Sequence, residues 1–165
     1  EATKQSRYKL SFYVPLYTDR HMLLPAMQQR LEKHRVNASL IWSIDEPAGI
    51  ALLDVVPASA TKFHAVEFLM NREGFALENT VFAGDSGNDL PVLTSSFRAV
   101  LVANATDEVR EEAFQQSQSR GTADSLYLAC GGFMGMNGNY SAGILEGVVH
   151  YLPQTRAWIE AEGKA

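Results

Sequence analysis

The fold can be inferred outward from one segment, residues 80–93, which has the sequence TVFAGDSGNDLPVL. Its first four residues form a short apolar run, which is typical of a strand buried on both faces of a parallel sheet. An acidic turn with two glycines follows, and Pro91 suits the first turn of a helix. The order strand, turn, helix predicts a turn at the carboxyl end of a parallel strand, where α/β folds bind ligands.

This turn, Gly84 to Asp89, has the composition of a cation site. Asp85 and Asp89 bring two carboxylates into one tight turn, and two such groups repel each other unless a cation or a proton lies between them. Gly84 and Gly87 allow a backbone path that a Cβ atom would hinder. Carboxylate oxygens favour Mg²⁺, which keeps several waters and is shared with substrate phosphate. The alternative is an ordinary turn in which Asp89 or its neighbour Asn88 caps the next helix.

Lys62 is the second candidate site residue, at the start of a helix predicted over residues 61–72. A phosphate placed there would interact favourably with both the helix dipole and the ammonium group. The alternative is a solvated surface lysine. His64, two residues later, could approach the same site or could be a surface or packed histidine. The spacing of Lys62 ahead of the acidic turn favours the phosphate role.

The N-terminal part of the chain predicts a small α+β module. Residues 8–14 alternate apolar and polar side chains, as a half-buried strand does. A helix follows to about His34, capped by Asp19 or Thr18. Residues 38–44 and 50–56 then form two strands of a hairpin around a turn. The order strand, helix, strand, strand predicts an antiparallel sheet.

The pattern changes after Pro57. Strands alternate with helices from there on, which predicts a parallel, doubly wound sheet. We therefore divide the chain into an α+β module over residues 1–56 and an α/β core over residues 57–165. The predicted strands of the core are residues 80–83, 99–103 and 126–129, and its helices are residues 61–72, 90–94, 107–116 and 142–151.

The composition excludes several classes of protein. The 165 residues are 46% hydrophobic and 20% charged with a net charge of −5, as in an ordinary globular protein. Basic residues are scattered, so no nucleic-acid surface is expected. No apolar run is long enough to cross a membrane. The single cysteine, Cys130, predicts a reducing, cytoplasmic setting and a buried thiol without a disulfide.

The acidic turn and Lys62 together resemble the haloacid-dehalogenase-like (HAD) phosphohydrolases. The third motif of that superfamily is a lysine at a helix start, and the fourth is an acidic loop. The resemblance is closest to the sucrose-phosphate phosphatase branch and covers residues 7–152. Further segments that resemble this branch are residues 57–62 (PASATK), 102–105 (VANA), 141–146 (SAGILE) and the strand at 8–14. The resemblance implies the C-terminal half of a HAD-like core with part of a cap module.

The resemblance also implies a mechanism and roles for particular residues. Such enzymes use an aspartate nucleophile that becomes phosphorylated, while Mg²⁺ and a lysine neutralise phosphate charge. Asp85 would be a metal ligand, and Asp89 would support the metal through water or neighbouring contacts. Lys62 would bind the phosphate. Ser86 and Asn88 would donate to the phosphate or shape the loop.

One element of the family is absent from the sequence. The nucleophile motif, Asp-x-Asp, occurs nowhere in the 165 residues. We therefore expect the N-terminal half of the core to lie outside this chain. That half would be the partner that completes the core, and we expect this chain alone to be inactive.

Three hypotheses follow from these features. The first is part of a Mg²⁺-dependent phosphatase acting on a phosphorylated sugar, such as sucrose phosphate or a related glycosyl phosphate. The second is a non-catalytic module that binds sugar phosphate beside a glycosyl synthase. A receiver-like domain is the third, and the cap-like module counts against it. Tyr13 and Trp42 could contact a sugar, although packing within the sheet explains them equally well.

Overall fold

A computed structural model describes residues 5–45 and 47–162 of the chain, without the side chain of Glu162. Two compact units result, residues 1–65 and 66–165, and they are described separately. The division falls inside helix α2 (Lys62–Glu73). The assignment of residues 57–65 to the second module stays a prediction.

The first unit contains a three-stranded antiparallel sheet and one helix. Its elements are β1 (Leu10–Val14), α1 (Arg20–Lys33), β2 (Ala38–Asp45) and β3 (Ile50–Pro57). The strand order is β1-β3-β2, with both pairs antiparallel. Helix α1 begins where the sequence predicts, since Oδ1 of Asp19 accepts a 2.8 Å hydrogen bond from the backbone N–H of His21.

The central strand of this sheet, β3, carries one charged residue, Asp54, within an otherwise apolar segment. Asp54 lies opposite Ser11 in the register. It accepts a 2.6 Å hydrogen bond from the Ser11 hydroxyl and forms a 2.8 Å ion pair with Lys9. The neighbouring residue Leu53 points to the other face and is buried, as is Ala51. On strand β1 the predicted alternation is present in the sequence, but the burial is the reverse of the expected one, since Ser11 is buried whereas Leu10 and Phe12 are 52% and 47% exposed.

The second unit is built on a parallel sheet. Its strands pair in the order β4-β5-β6, all parallel. Each is a short segment that alternates with helices along the chain. The elements are β4 (Val81–Gly84), α3 (Leu90–Leu93), β5 (Arg98–Leu101), α4 (Asp107–Arg120), β6 (Leu126–Leu128), α5 (Tyr140–Tyr151) and α6 (Arg156–Glu162), together with most of α2.

Helices cover both faces of this sheet. Ala99 and Leu101 of β5 contribute to one apolar cluster, which includes residues of α3 and α4. The alternate residues Val100 and Val102 contribute to a second cluster with Tyr151 of α5. The core is therefore a three-layered α/β arrangement, and the predicted fold class is confirmed. Among the described residues, no helix is both long and apolar enough to span a membrane.

Helix α5 lies very close to the central strand. A Cβ atom at Gly147 would come within 2.1 Å of Cγ2 of Val100, and one at Gly143 within 3.0 Å of Val102. Because real Cβ contacts are longer, both positions require glycine in this packing.

The structure corrects three further predictions of burial. Strand β4 is only half-buried, because it lies at the edge of the described sheet, whereas β5 has a neighbour on each side. The spacing of Val66, Leu69 and Met70 predicts an apolar face on α2, but Leu69 is 47% exposed. Cys130 is exposed as well, since it lies beyond the end of β6 and directly before the glycine-rich loop, residues 131–138.

Candidate metal and phosphate site

The acidic turn lies where the sequence predicts, at the carboxyl end of β4. Residues Gly87 to Asp89 form a single turn of 3-10 helix that leads directly into α3. Pro91 is in the first turn of that helix, where its missing N–H has no cost. The carboxyl ends of parallel strands share one edge of the sheet, so residues that follow β5 can meet this turn.

Asp89 folds back onto the turn. Its side chain is buried, with 4% exposure. Its Oδ2 atom accepts hydrogen bonds from the backbone N–H groups of Asp85, at 3.2 Å, and Ser86, at 3.1 Å. The same oxygen accepts a 2.9 Å hydrogen bond from the Ser86 hydroxyl. Asp89 therefore stabilises the shape of the turn.

Gly84 makes this arrangement possible. A Cβ atom there would lie 2.5 Å from Cγ of Asp89 and 2.6 Å from its Oδ2. Gly87, in contrast, has open space around its own Cβ position. Of the two glycines in the turn, only Gly84 is required by a close approach of the Asp89 carboxylate.

Asp85 has the opposite environment. Its side chain is exposed, and its Oδ2 atom accepts a 3.0 Å hydrogen bond from Nδ2 of Asn104. Asn104 follows β5, and its Oδ1 atom accepts a 2.7 Å hydrogen bond from the backbone N–H of Tyr140. The turn thus presents one carboxylate to solvent and uses the other internally.

The donor set fits Mg²⁺. The candidate ligand atoms are carboxylate oxygens, and Mg²⁺ is usually held by one or two carboxylates together with waters and substrate phosphate. Within the described residues, no three His, Cys, Asp or Glu side chains are grouped as a fuller metal site would need. The geometry suits Asp85 as the direct ligand and Asp89 as its support.

Ser86 and Asn88 belong to the same turn, but their environments differ. The hydroxyl of Ser86 donates to Asp89, which corresponds to the loop-shaping role. Asn88 is half-buried within the 3-10 turn. Of the two residues considered as caps of the next helix, Asp89 and not Asn88 occupies the N-cap position of α3, although its side chain makes no capping hydrogen bond there. The Asp89 side chain instead forms a capping box with Ser86 around the 3-10 turn. Contacts of either residue with phosphate stay predictions.

Lys62 is exposed and is the first residue of α2, within the first unit. A lysine at a helix start is therefore confirmed, whereas its contact with phosphate stays a prediction. Nδ1 of His64 lies 2.7 Å from the Thr61 hydroxyl oxygen, and that oxygen also accepts a hydrogen bond from the His64 backbone N–H. The His64 side chain thus contacts the helix start.

Sequence reasoning gave no role to Asn104, although it noted the segment 102–105. The feature that could have identified Asn104 is its position after a strand of the parallel sheet. Asn104 follows β5 just as Asp85 follows β4, and these strands are parallel neighbours in register from Val81 and Arg98 onward. Polar residues after two adjacent parallel strands are expected at the same edge of the sheet.

Glu146 was the second residue without an assigned role. It is 6% exposed on α5 and accepts hydrogen bonds from the Tyr127 hydroxyl at 2.8 Å, the Cys130 N–H at 3.0 Å and the Gly131 N–H at 2.9 Å. Burial acts to raise the pKa of Glu146, but these hydrogen bonds lower it further than burial raises it. Burial and then Glu146 raise the pKa of Tyr127 to about 12. Glu146 thus fixes the start of the glycine-rich loop.

The other end of this loop is held beside the site. The carbonyl oxygen of Gly138 accepts a 2.9 Å hydrogen bond from the N–H of Ala103, the residue before Asn104. The loop therefore runs from the Glu146 anchor to the strand end that positions Asn104.

Comparison with known proteins identifies the family of this chain. Residues 1–152 match the family described as sucrose-6F-phosphate phosphohydrolase. The chain belongs to this family of HAD-type hydrolases. It is 54% identical over 160 residues to a HAD-like hydrolase of Nitrosococcus oceani, and the aligned region covers 97% of this chain and 43% of that protein. It is 32% identical over 111 residues to sucrose-phosphatase 2 of Nicotiana tabacum, covering 65% of this chain and 25% of that protein.

The fold is also similar to a solved member of the family. The sucrose-phosphatase of Synechocystis, determined with sucrose and phosphate, superimposes with a TM-score of 0.69 at 23% identity. The match covers 89% of this chain and 53% of the Synechocystis chain. This chain of the sucrose-6F-phosphate phosphohydrolase family therefore spans only about half, or less, of the length of these relatives.

Proposed function

We propose that this chain is the cap and C-terminal core part of a Mg²⁺-dependent phosphatase acting on a phosphorylated sugar. The observation that supports the proposal most directly is the contrast within the acidic turn. Asp85 is exposed at a strand end, while Asp89 is buried and braces the backbone around it. Asp85 therefore offers carboxylate oxygens at the strand end, while Asp89 keeps the backbone of the turn in place.

In this proposal, Asp85 binds Mg²⁺ directly. Asp89 supports it by fixing the backbone of Asp85 and Ser86 through the hydrogen bonds to Oδ2. Mg²⁺ bound there would neutralise negative charge on the phosphate oxygens. Because the turn is already braced by Asp89, little rearrangement is needed when the ion binds.

Lys62, Asn88 and Ser86 are the proposed phosphate-binding residues. The Lys62 ammonium supplies a positive charge at the start of α2, where the helix dipole also favours an anion. Asn88 offers an amide donor from the same turn as Asp85. The Ser86 hydroxyl donates to Asp89, so its part is the orientation of the turn, with its oxygen still able to accept a hydrogen bond.

The proposed substrate class is a glycosyl phosphate. The support for this class is the family match, whose relatives include plant sucrose-phosphatases, together with the antiparallel sheet of the first unit, which we propose to be part of a cap module. Sucrose phosphate is one candidate within this class. Tyr13 and Trp42 of that unit lie opposite Leu52 and Leu53, hence on opposite faces of the sheet, so each is a candidate sugar contact only for its own face.

The covalent step of this family needs an aspartate nucleophile, and the 165 residues contain no Asp-x-Asp motif. We propose that the nucleophile belongs to a segment outside this chain and that the chain alone does not turn over substrate. The alternative is a non-catalytic module that binds sugar phosphate beside a glycosyl synthase. The coding sequence upstream distinguishes the two, since an Asp-x-Asp there favours catalysis.

The experiment is a phosphatase assay on the protein that includes this upstream segment. Sucrose 6-phosphate and other glycosyl phosphates are the substrates, and released phosphate is measured with Mg²⁺ and with chelator. We expect Mg²⁺-dependent hydrolysis, lost in Asp85→Ala and retained in Asp124→Ala, a control in which an exposed carboxylate at the amino end of β6 is removed. Absence of hydrolysis despite an intact Asp-x-Asp would overturn the enzymatic proposal.

A further inference from the structure

Asn104 lies beside the carboxyl ends of the parallel strands, where Asp85, the proposed metal ligand, is also found. Strands β4 and β5 are in register through Gly84 and Leu101, and the N–H of Val102 continues the ladder with a 3.1 Å hydrogen bond to the carbonyl of Gly84. Two residues beyond this bond, Asn104 faces Asp85. Its place is therefore fixed by strand pairing.

The two hydrogen bonds of the Asn104 amide determine its orientation. The side-chain oxygen of Asp85 is the acceptor at this end, so the amide nitrogen of Asn104 faces it at 3.0 Å. The N–H of Tyr140 can only donate, so the amide oxygen must face Tyr140 at 2.7 Å. One planar group thus joins Asp85 to the start of helix α5.

The Tyr140 end of this link is held in an unfavourable conformation. Tyr140 has a φ angle of +48°, which is uncommon for a residue with a side chain. The short hydrogen bond to Asn104 offsets part of that cost. Gly138, at the end of the glycine-rich loop, is hydrogen-bonded to Ala103, the residue before Asn104. The end of this loop and the link to Asp85 are therefore connected.

We infer that Asn104 is a positioning residue, which orients the Asp85 carboxylate for the metal and couples it to the end of the glycine-rich loop. The inference rests on the proposed role of Asp85 as a metal ligand. Because coupling between two sites is reciprocal, a metal bound at Asp85 must in turn stabilise the hydrogen bond at Tyr140. A residue with a merely structural role would show neither effect.

The experiment uses this 165-residue chain and Mg²⁺. Its dissociation constant is measured by NMR titration, and hydrogen exchange of the Tyr140 and Ala103 amides is followed with and without Mg²⁺. The variants are Asn104→Ala, Asp85→Asn and a control, Asn71→Ala, at an exposed site on α2. Exchange in the unmodified chain keeps the inference testable even if Asn104→Ala does not fold.

We expect Asn104→Ala to weaken Mg²⁺ binding by roughly 10- to 100-fold, as loss of a group that orients a metal ligand does, and Asn71→Ala to leave it unchanged. Mg²⁺ should slow exchange at Tyr140 in the unmodified chain but not in Asp85→Asn. If Mg²⁺ binds through Asp85 while Asn104→Ala has normal affinity, or if exchange at Tyr140 ignores Mg²⁺, the inference fails alone. If the unmodified chain binds no Mg²⁺, both this inference and the proposed metal role of Asp85 fail.

Discussion

Asn104 donates a 3.0 Å hydrogen bond from Nδ2 to Oδ2 of Asp85, across the carboxyl ends of two neighbouring strands. The acidic turn is therefore shaped from two sides. Asp89 braces its backbone from within, and Asn104 holds its exposed carboxylate from the next strand. This division of labour between two aspartates leads to opposite expectations when each one is replaced.

Asp85→Ala should affect metal binding far more than stability. The side chain is exposed and its removal leaves no cavity, so the free energy of unfolding should change by less than about 1 kcal/mol. The increase in stability that Mg²⁺ gives the unmodified chain should disappear. Urea denaturation with and without Mg²⁺ measures both quantities. An Asp85→Ala chain that Mg²⁺ still stabilises would contradict the assignment of Asp85.

Asp89→Ala should show the reverse. Removing its carboxylate leaves the N–H groups of Asp85 and Ser86 without their acceptor in a partly buried turn, and such losses cost about 1–3 kcal/mol. Urea denaturation without Mg²⁺ tests this, with Asp85→Ala as the matched control. Equal stability of the two variants would mean that Asp89 does not brace the turn.

Gly84→Ala and Gly87→Ala form a second matched pair. The added methyl group at position 84 would lie 2.5 Å from Cγ of Asp89, whereas the one at position 87 meets no atom within 4 Å. We expect Gly84→Ala to lower the free energy of unfolding by about 1–3 kcal/mol, the usual cost of overpacking. Gly87→Ala should be tolerated. Denaturation of both variants under the same conditions decides the matter, and a reversed order would refute the packing argument.

Glu146→Gln should destabilise the second unit at neutral pH. The glutamine keeps one acceptor oxygen, but its amide nitrogen is a donor and replaces the other. Either the Gly131 N–H, which donates to Oε2 of Glu146, or the Cys130 N–H, which donates to Oε1, therefore loses its acceptor. A buried donor without an acceptor costs about 1–3 kcal/mol. Chemical denaturation at pH 7 measures the loss, and Glu67→Gln, at an exposed position on α2, serves as a comparison.

The same residue predicts how stability depends on pH. The pKa of Glu146 in the folded chain lies below its ordinary value of 4.5, so its contribution is complete above that value and is lost as the pH falls through the folded pKa. Tyr127 acts at the other end of the range. Its folded pKa of about 12 means that its contribution is lost as the pH rises from about 10 to 12. Glu146→Gln should flatten the acid limb, and an unchanged acid limb would contradict this.

Local patterns predicted most elements to within a few residues. Asp19 caps α1 as expected. Helix α4 continues four residues past its predicted end, to Arg120, where Gly121 adopts a φ angle of +69° and ends it. Helix α5 begins at Tyr140, before its predicted start at Ala142. Sequence patterns do not predict this start, because Tyr140 has a positive φ angle that residue propensities disfavour.

The acidic turn and its place after a strand were determined by the sequence itself, since glycines, aspartates and a helix-starting proline in that order leave few local conformations. The different fates of Asp85 and Asp89 were not. Both are aspartates in one turn, and only the packing against Gly84 buries the second. The contact with Asn104 required the tertiary structure, because residues 19 positions apart meet only when two parallel strands pair and align their carboxyl ends.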